Sequence, residues 1–263
     1  MGKLIAVGNL KGGTGKSTIA VNLACALQAA DRTVVLVDAD GQGTVTDWHA
    51  GKGLPVVVET LPLGGGRDAR SWVATVLTLK AGADYVVVDL PPQVGSGIAS
   101  ALLIADLLVV PVSPSGVDLR ATGRALELLR RARAVRGGAK PAAMLVPSRV
   151  DRRTVVGRRA HITLERFGLK VGPEVRQRSA HVNAFAASTW VGVHAPGSPA
   201  HREIRVLRDR VEELLEETVR STALGESGAA HGAGSSLALA AGMPDHPLGF
   251  MTMAADPLEG RSA

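Results

Sequence analysis

Short apolar runs alternate with longer segments of helical periodicity along most of the chain. The runs are rich in β-branched residues, which favours strands, whereas apolar residues in the longer segments recur every three or four positions, which favours amphipathic helices. The predicted strands cover residues 4–7, 33–38, 55–60, 85–89, 107–112, 142–146 and 169–171. The predicted helices begin with one near residue 16 and then cover about 67–81, 97–105, 118–135, 154–167 and 201–220. Because strands that are almost wholly apolar are buried on both faces, the pattern predicts an α/β fold with a mainly parallel, doubly wound sheet and helices on both faces.

This alternation stops near Ser221. Residues 1–221 are predicted to form one domain. Residues 222–263 are rich in glycine, alanine and serine, carry few charges and have no sustained period, so they are predicted to form a mostly disordered tail. Two apolar stretches in it, 237–239 and 248–253, leave a short docking segment as the alternative.

The apolar content and the cysteine count indicate which classes of protein the chain can belong to. Of the 263 residues 46% are apolar, which is enough for a sizeable core, and no apolar run approaches the length of a membrane span. The single cysteine, Cys25, excludes a disulfide framework within one chain and suits a reducing compartment. The first residues do not show a basic leader followed by a hydrophobic signal core. We therefore expect a cytoplasmic protein without a membrane anchor.

A glycine-rich loop follows the first predicted strand and precedes the first predicted helix. It reads Asn-Leu-Lys-Gly-Gly-Thr-Gly-Lys-Ser-Thr over residues 9–18. Glycines let consecutive backbone N–H groups point inward, and the positive end of the following helix adds its field, so the loop is suited to bind phosphate. Lys16 would reach the outer phosphates, and the Ser17 hydroxyl would ligate Mg²⁺.

The general P-loop pattern fails at one position, because Leu10 stands where glycine is required. The loop instead resembles the deviant Walker A motif of the ParA/MinD family of ATPases, whose fold is that of P-loop NTPases. In that family the extra lysine, here Lys11, crosses a dimer interface to the phosphates of the partner's ATP. The resemblance implies that ATP is bound by Lys11, Gly12, Gly13, Thr14, Gly15, Lys16, Ser17 and Thr18.

Carboxylates follow two of the predicted strands. Asp40 lies 24 positions after Lys16, in a segment that resembles the Asp-x-Asp-Pro-Gln switch of the family, although Gly41 replaces the usual proline. Asp40 is the candidate for orienting the attacking water, while Asp38 fits a helix-capping role equally well. Asp89 ends a Walker B-like run, where a buried strand delivers one carboxylate to the magnesium shell. The predicted catalytic residues are therefore Lys11, Lys16 and Asp40, and the predicted Mg²⁺ residues are Ser17, Asp40 and Asp89. Residues 95–97 resemble the second switch loop.

Positive charge concentrates in the later part of the predicted domain. The net charge is +6, and nine lysines or arginines face three acids between residues 149 and 178. Arginines with few aromatic residues between them are suited to phosphate contacts rather than base stacking, which indicates sequence-independent binding of double-stranded DNA. The predicted DNA-binding residues are Arg149, Arg152, Arg153, Arg158, Arg176 and Arg178.

The chain is most similar to short ParA proteins that lack an N-terminal helix-turn-helix domain. Such proteins form an ATP sandwich homodimer, associate with the nucleoid and position a plasmid, chromosome region or protein cargo. Their ATPase is stimulated by a ParB-like or other cargo adaptor. Two alternatives remain: a MinD-like membrane-associated ATPase, disfavoured by the acidic, glycine-rich tail, and a nucleotide-gated DNA-binding scaffold with little hydrolysis. Ser148 stands where relatives often carry the asparagine that recognises adenine.

Overall fold

The computed structural model describes residues 2–64, 68–92, 96–138 and 140–230. Eight strands run through these residues: β1 (Lys3–Val7), β2 (Val34–Asp38), β3 (Val57–Thr60), β4 (Tyr85–Asp89), β5 (Leu107–Val112), β6 (Ala142–Val150), β7 (Lys170–Val171) and β8 (Val175–Arg176). They form a parallel sheet in the order β3–β2–β4–β1–β5–β6–β7, and β8 pairs with the end of β6. The strand that leads into the glycine-rich loop is therefore central.

Helices connect these strands. They are α1 (Lys16–Gln28), α2 (Thr44–His49), α3 (Ala69–Gly82), α4 (Ser96–Ile104), α5 (Gly116–Arg136), α6 (Val155–Arg158), α7 (Ala160–Glu165), α8 (Ser179–Ala186), α9 (Val191–His194) and α10 (Pro199–Ala230). The compact unit to which the sheet belongs ends at Thr222.

Side chains of the central strand alternate between two hydrophobic cores. Ile5 and Val7 pack in the core that contains α1 and the apolar face of α10, whereas Leu4 and Ala6 pack in the core that contains α3, α4 and α5. Successive strand residues point to opposite faces, so helices cover both faces of the sheet. The predicted doubly wound α/β fold is confirmed.

The predicted elements differ from the structure mainly near their ends. The helix predicted over 154–167 is two short helices, because Arg159 leaves helical geometry with φ −95° and ψ 2°. Four short elements were not predicted: α2, β8, α8 and α9. Each is two to eight residues long, too short for periodicity to reveal.

The last predicted helix is longer than expected. It begins at Pro199 and continues to Ala230, ten residues beyond the predicted end. Residues 231–263 of the predicted tail lie outside the described residues, as does Gly95 of the second switch-like loop. No helix in the described ranges has the length and apolar character needed to cross a membrane.

Candidate functional site

The glycine-rich loop connects the end of β1 to the start of α1. Gly13 and Gly15 have φ values of +76° and +87°, a conformation that other residues adopt only with strain. A Cβ on Gly15 would also lie 2.7 Å from the Ser148 hydroxyl. No side chain caps the first turn of α1, and no acidic residue lies in it. Its backbone N–H groups are therefore directed at the cleft described below, as an anion site requires.

Lys16 is held inside this loop. Its side chain is buried, and Nζ donates a hydrogen bond to the Lys11 carbonyl oxygen at 3.0 Å. Burial lowers the pKa of Lys16, while the negative charges of Asp89 and Asp40 raise it. The ammonium group thus lies between the phosphate loop and two carboxylates.

Asp38 and Asp40 have different roles in the structure. The Asp38 carboxylate is fully buried and accepts hydrogen bonds from the Thr46 backbone N–H at 2.8 Å and from the Thr46 hydroxyl at 2.9 Å. This geometry is the capping role foreseen for Asp38. Asp40 instead lines the cleft beside the glycine-rich loop, with its Oδ1 accepting from the Gln42 N–H at 3.0 Å.

Asp89 lies at the end of β4, paired in register with Asp38 of β2. It is fully buried, and neither carboxylate oxygen has a hydrogen-bond partner among the described residues. Burial raises its pKa to about 7; the charge of Asp38 adds to the rise, and Ser17 and Lys16 oppose it. Buried carboxylates are normally paired, whereas here the Ser17 hydroxyl is near enough to lower the Asp89 pKa but does not complete a hydrogen bond, so both oxygens can accept a further partner.

The residues around Asp89 fit a magnesium ion. Unpaired carboxylate oxygens close to the Ser17 hydroxyl are hard oxygen donors, the type that Mg²⁺ prefers. The described residues include no group of three or more His, Cys, Asp or Glu side chains that could hold a metal. Mg²⁺ is usually held by one or two protein oxygens together with water and substrate phosphates.

A cleft of about 500 Å³ begins at the glycine-rich loop and reaches α8. Its volume is in the range of nucleotide-sized ligand pockets. Residues of the loop and of α1 form one end, and Asp40, Gln42 and Thr44 lie beside it. The other wall was not foreseen, since it comes from β8 and the short helix α8; it consists of Val175, Arg176, Gln177, Arg178, His181 and Val182.

Arg149 was predicted to contact DNA, and the structure places it in this cleft. The pairing of β6 with β8 is irregular between Ser148 and Val150, and Arg149 has a φ of +53°. This bulge directs the side chain back to the glycine-rich loop, where Nη1 donates to the Gly13 carbonyl oxygen at 2.6 Å. Arg149 therefore ties the loop to the end of β6 and adds positive charge to its anion site.

Replacing Arg149 with alanine is expected to weaken ATP binding about three- to tenfold, because a charge-assisted hydrogen bond to the loop is lost. Titration calorimetry with Mg-ATP measures the change. Arg159→Ala, at an exposed arginine outside the cleft, is the control and should bind as the wild type does. Unchanged ATP affinity together with weaker DNA binding would favour the original DNA assignment.

The other predicted DNA-contacting arginines form a charge network. Arg152 pairs with Glu174 at 2.8 Å, and Arg153 pairs with Asp151 at 2.8 Å. Arg178 pairs with Glu203 at 2.5 Å. Arg176 contacts both Glu174 and Glu203, and Arg158 donates to the backbone carbonyl of Arg153 at 3.0 Å.

The structure therefore divides the predicted patch into two groups. Arg176 and Arg178 lie in the cleft wall together with Arg149. Arg152, Arg153 and Arg158 are exposed at the other end of the network. Since the exposed group is accessible, it is the part of the patch that can meet an extended anionic surface, and its role in DNA binding stays a prediction.

Comparison with known proteins agrees with this geometry. The chain is 32% identical over 225 residues to the maintenance of carboxysome distribution protein A of Halothiobacillus neapolitanus, covering 82% of this chain and 96% of that protein. It is 30% identical over 243 residues to the chromosome-partitioning ATPase Soj of Thermus thermophilus, covering 81% and 96%.

Solved structures share the fold. Apo McdA from Cyanothece superposes with a TM-score of 0.62 at 18% identity, covering 83% of this chain and all of that one. The cell division ATPase MinD of Pyrococcus furiosus gives a TM-score of 0.65 at 21% identity, covering 81% and 100%. The sequence profile of the CobQ/CobB/MinD/ParA nucleotide binding domain matches residues 5–188, which include the loop, Asp40, Asp89 and Arg149. The chain belongs to this family of nucleotide-binding domains and is a ParA/MinD-type member of it.

Proposed function

We propose that this protein is a positioning ATPase that forms an ATP-dependent homodimer, binds DNA without sequence preference and moves a cargo over the nucleoid. The observation that carries the proposal is the anion site at the glycine-rich loop, where Lys16 and Asp40 line the cleft and the buried Asp89 lies close enough to Lys16 to raise its pKa. The exposed arginines Arg152, Arg153 and Arg158 support its DNA part, and the names of the relatives support its cargo part.

The residues at the loop end of the cleft have distinct roles in hydrolysis. The N–H groups of the loop and the first turn of α1 bind the phosphates, and Lys16 neutralises the charge that develops on the outer one. Ser17 and Asp89 would hold Mg²⁺, which neutralises charge on the β- and γ-phosphates when bound. Asp40 orients the attacking water, with its carboxylate fixed by the Gln42 N–H.

The dimer part rests on Lys11. This residue belongs to the same loop, and its carbonyl oxygen accepts the hydrogen bond from Lys16. Its half-buried side chain lies outside the lining of the cleft in its own subunit. A lysine placed this way can serve a second nucleotide across an interface, as the resemblance to deviant Walker A loops implies.

The cargo part rests on the relatives. The names of two of them refer to carboxysome distribution and to chromosome partitioning. Both describe the placement of a large body in the cell, so we assign the same class of task to this chain. A cargo-bound adaptor, ParB-like or of another kind, would stimulate hydrolysis and so release the dimer from DNA.

Asp40→Ala tests the dimer cycle. The variant should bind ATP but hydrolyse it about 10²- to 10³-fold more slowly, because the group that positions water is lost. With ATP and Mg²⁺ it should therefore elute as a dimer in size-exclusion chromatography with light scattering, whereas with ADP it should elute as a monomer.

The matched control is Asp47→Ala, since Asp47 is exposed on α2 and outside the cleft. It should hydrolyse ATP at the wild-type rate. An Asp40→Ala protein that binds ATP and stays monomeric would rule out the sandwich dimer for this chain.

A further inference from the structure

Another groove lies between α5 and the segment 166–169, which connects α7 to β7. Its volume is about 420 Å³, enough to hold a large side chain together with its neighbours. It shares no lining residue with the cleft at the glycine-rich loop. The groove is therefore a separate site, and the proposed hydrolysis does not use it.

The floor of the groove is apolar. Leu126 and Leu129 of α5 are buried in it, and Phe167 and Leu169 are half-buried on its other side. All four belong to the core on the α5 side of the sheet or pack against it, so the floor is held in place by that core. A bulky apolar side chain placed on this floor would leave water, which is favourable.

Three arginines surround the floor. Arg133 is half-buried, and its Nε donates to the Pro141 carbonyl oxygen at 2.9 Å. Arg166 is exposed and makes no ion pair with the described residues, while Arg130 shares Glu127 with Arg131 on its own helix.

The charge of this groove is not balanced by its own walls. The lining residues that the structure describes include these three arginines and no acid. The arginines near β8 differ, because carboxylates pair with them: Arg178, for example, pairs with Glu203. Burial also lowers the pKa of Arg133, since no carboxylate compensates for the water that this guanidinium has lost. The groove is thus suited to an anionic partner.

A glycine keeps the groove open. Gly123 lies within α5 and lines the groove, although glycine weakens a helix interior relative to alanine. Its φ is not in the left-handed region, and an added Cβ would meet no described atom within 4 Å. Neither the backbone conformation nor close packing requires glycine here. What its missing side chain provides is space above the apolar floor.

The combination of floor and charge selects the kind of partner. Guanidinium groups form paired hydrogen bonds with carboxylates as well as with phosphates, so charge alone does not distinguish a protein from DNA. A DNA duplex offers phosphates on a convex surface but no apolar side chain that could enter the groove. An acidic protein segment with a bulky apolar residue offers both groups.

We propose that this groove is a docking site for an acidic segment of a partner protein, with one bulky apolar side chain on the floor and carboxylates on Arg130, Arg133 and Arg166. The inference goes beyond the proposed function, because the groove is independent of the nucleotide and of the arginines assigned to DNA.

Fluorescence polarisation with synthetic labelled peptides tests the assignment on the full chain. The probes carry three acidic residues on each side of a central phenylalanine, leucine or serine, and a fourth probe has lysines in place of the acids. The phenylalanine or leucine probe should bind about tenfold more tightly than the serine probe, because only a large apolar side chain covers the floor. The lysine probe should not bind.

Variants of the groove should weaken binding of the apolar acidic probes. Gly123→Leu places a side chain in the groove and should lower their affinity about tenfold. Arg133→Gln and Arg166→Gln should each lower it about three- to tenfold, since each removes a charge-assisted contact. Arg120→Gln is the matched control, because this exposed arginine of α5 lies outside the groove, and it should bind as the wild type does.

Two readouts separate docking from a structural effect. Gly123→Ala should unfold at a higher temperature than the wild type and should still bind the probes, because alanine favours the helix and leaves most of the space open. Gly123→Leu should hydrolyse ATP at the wild-type rate, since the groove shares no residue with the cleft.

Equal binding of the serine and phenylalanine probes would overturn the inference, because surface charge alone would then explain the binding. Wild-type affinity in Gly123→Leu, or failure of every acidic probe to bind the wild type, would also overturn it. A random-sequence duplex is measured beside the peptides. If Gly123→Leu lost affinity for the duplex and not for the probes, the groove would belong to nucleic acid and the proposal would be wrong.

Discussion

Lys16→Ala is expected to lower ATP hydrolysis by about 10²- to 10³-fold, the usual effect of removing one preorganised charge from a transition-state site. The Lys16 ammonium group is buried between the loop and the carboxylates of Asp89 and Asp40. Water cannot replace it there without leaving developing phosphate charge poorly compensated. Phosphate release at saturating ATP measures the effect, and titration calorimetry separates lost binding from lost turnover.

Lys16→Arg should also fail. The side chain is buried, and its Nζ is placed by one hydrogen bond to the Lys11 carbonyl at 3.0 Å, a geometry that a planar guanidinium does not reproduce. Lys52→Ala, at an exposed lysine outside the cleft, is the control and should keep the wild-type rate. Turnover within about twofold of wild type in Lys16→Ala would contradict the assignment of the anion site.

Asp89→Asn is expected to stabilise the ligand-free protein and to abolish its response to magnesium. The wild-type carboxylate is fully buried with both oxygens unpaired. Its ionised form is therefore disfavoured in the folded state, and an amide of the same shape removes that charge. The same change removes the ligand that the metal needs, so Mg²⁺ should no longer strengthen ATP binding or raise the unfolding temperature with ATP.

The pH dependence of this stabilisation has a defined sign. The pKa of Asp89 is raised in the folded protein from 3.8 to about 7, so the folded state holds a proton that the unfolded state has released between these values. Through Asp89, the free energy of unfolding of the wild type thus falls as pH rises from about 4 to about 7. The difference between Asp89→Asn and wild type should be small below pH 4 and level off above pH 7, at no more than about 4 kcal/mol.

Urea unfolding of the ligand-free proteins with a chelator, between pH 4 and pH 8, measures this difference. Asp106→Asn supplies a contrast, because Asp106 is buried with partners: Lys80 at 2.6 Å and the Leu4 N–H at 2.8 Å. Breaking that pair should destabilise the protein by about 3–5 kcal/mol. Destabilisation by Asp89→Asn at pH 8 would show that the Asp89 carboxylate has a protein partner and is not awaiting a cation.

The glycine-rich loop and Asp89 could be predicted because each is marked by a short pattern of neighbouring residues. The glycine-rich loop lies between an apolar strand and an amphipathic helix, and Asp89 ends a run of four apolar residues. Each signal is complete within about ten residues, and the parallel sheet brings the strand ends together. The position of Asp89 beside Lys16 therefore followed from strand and loop placement alone.

The other wall of the cleft depends on tertiary contacts that leave no periodic signal. The direction of Arg149 depends on the irregular pairing of β6 with β8, a strand of two residues. His181 lies in an eight-residue helix whose sequence, Ser-Ala-His-Val-Asn-Ala-Phe-Ala, has no strong helical period. A cluster of arginines in the sequence likewise does not show which carboxylates pair with them. Arg178, for example, pairs with Glu203 of α10, which is more than twenty residues further along the chain.

The ion pairs of the exposed arginines must be broken or shared when these arginines bind DNA. Arg152 and Arg153 must exchange contacts with Glu174 and Asp151 for contacts with phosphates, or share them. Both arginines are largely exposed, so the existing pairs are weak and can be exchanged. Charge reversal at both positions should reduce DNA affinity and also the number of counterions released on binding.

Binding to a random-sequence duplex at several salt concentrations tests the central claim most directly. It would be measured for the wild type without nucleotide and with ADP, and for Asp40→Ala with ATP and Mg²⁺. The account predicts binding only in the ATP state, with an affinity that falls steeply with salt, by about 0.9 log units per neutralised phosphate for each tenfold rise. Binding that is absent in every state, or equally strong without nucleotide, would contradict an ATP-gated DNA-binding dimer.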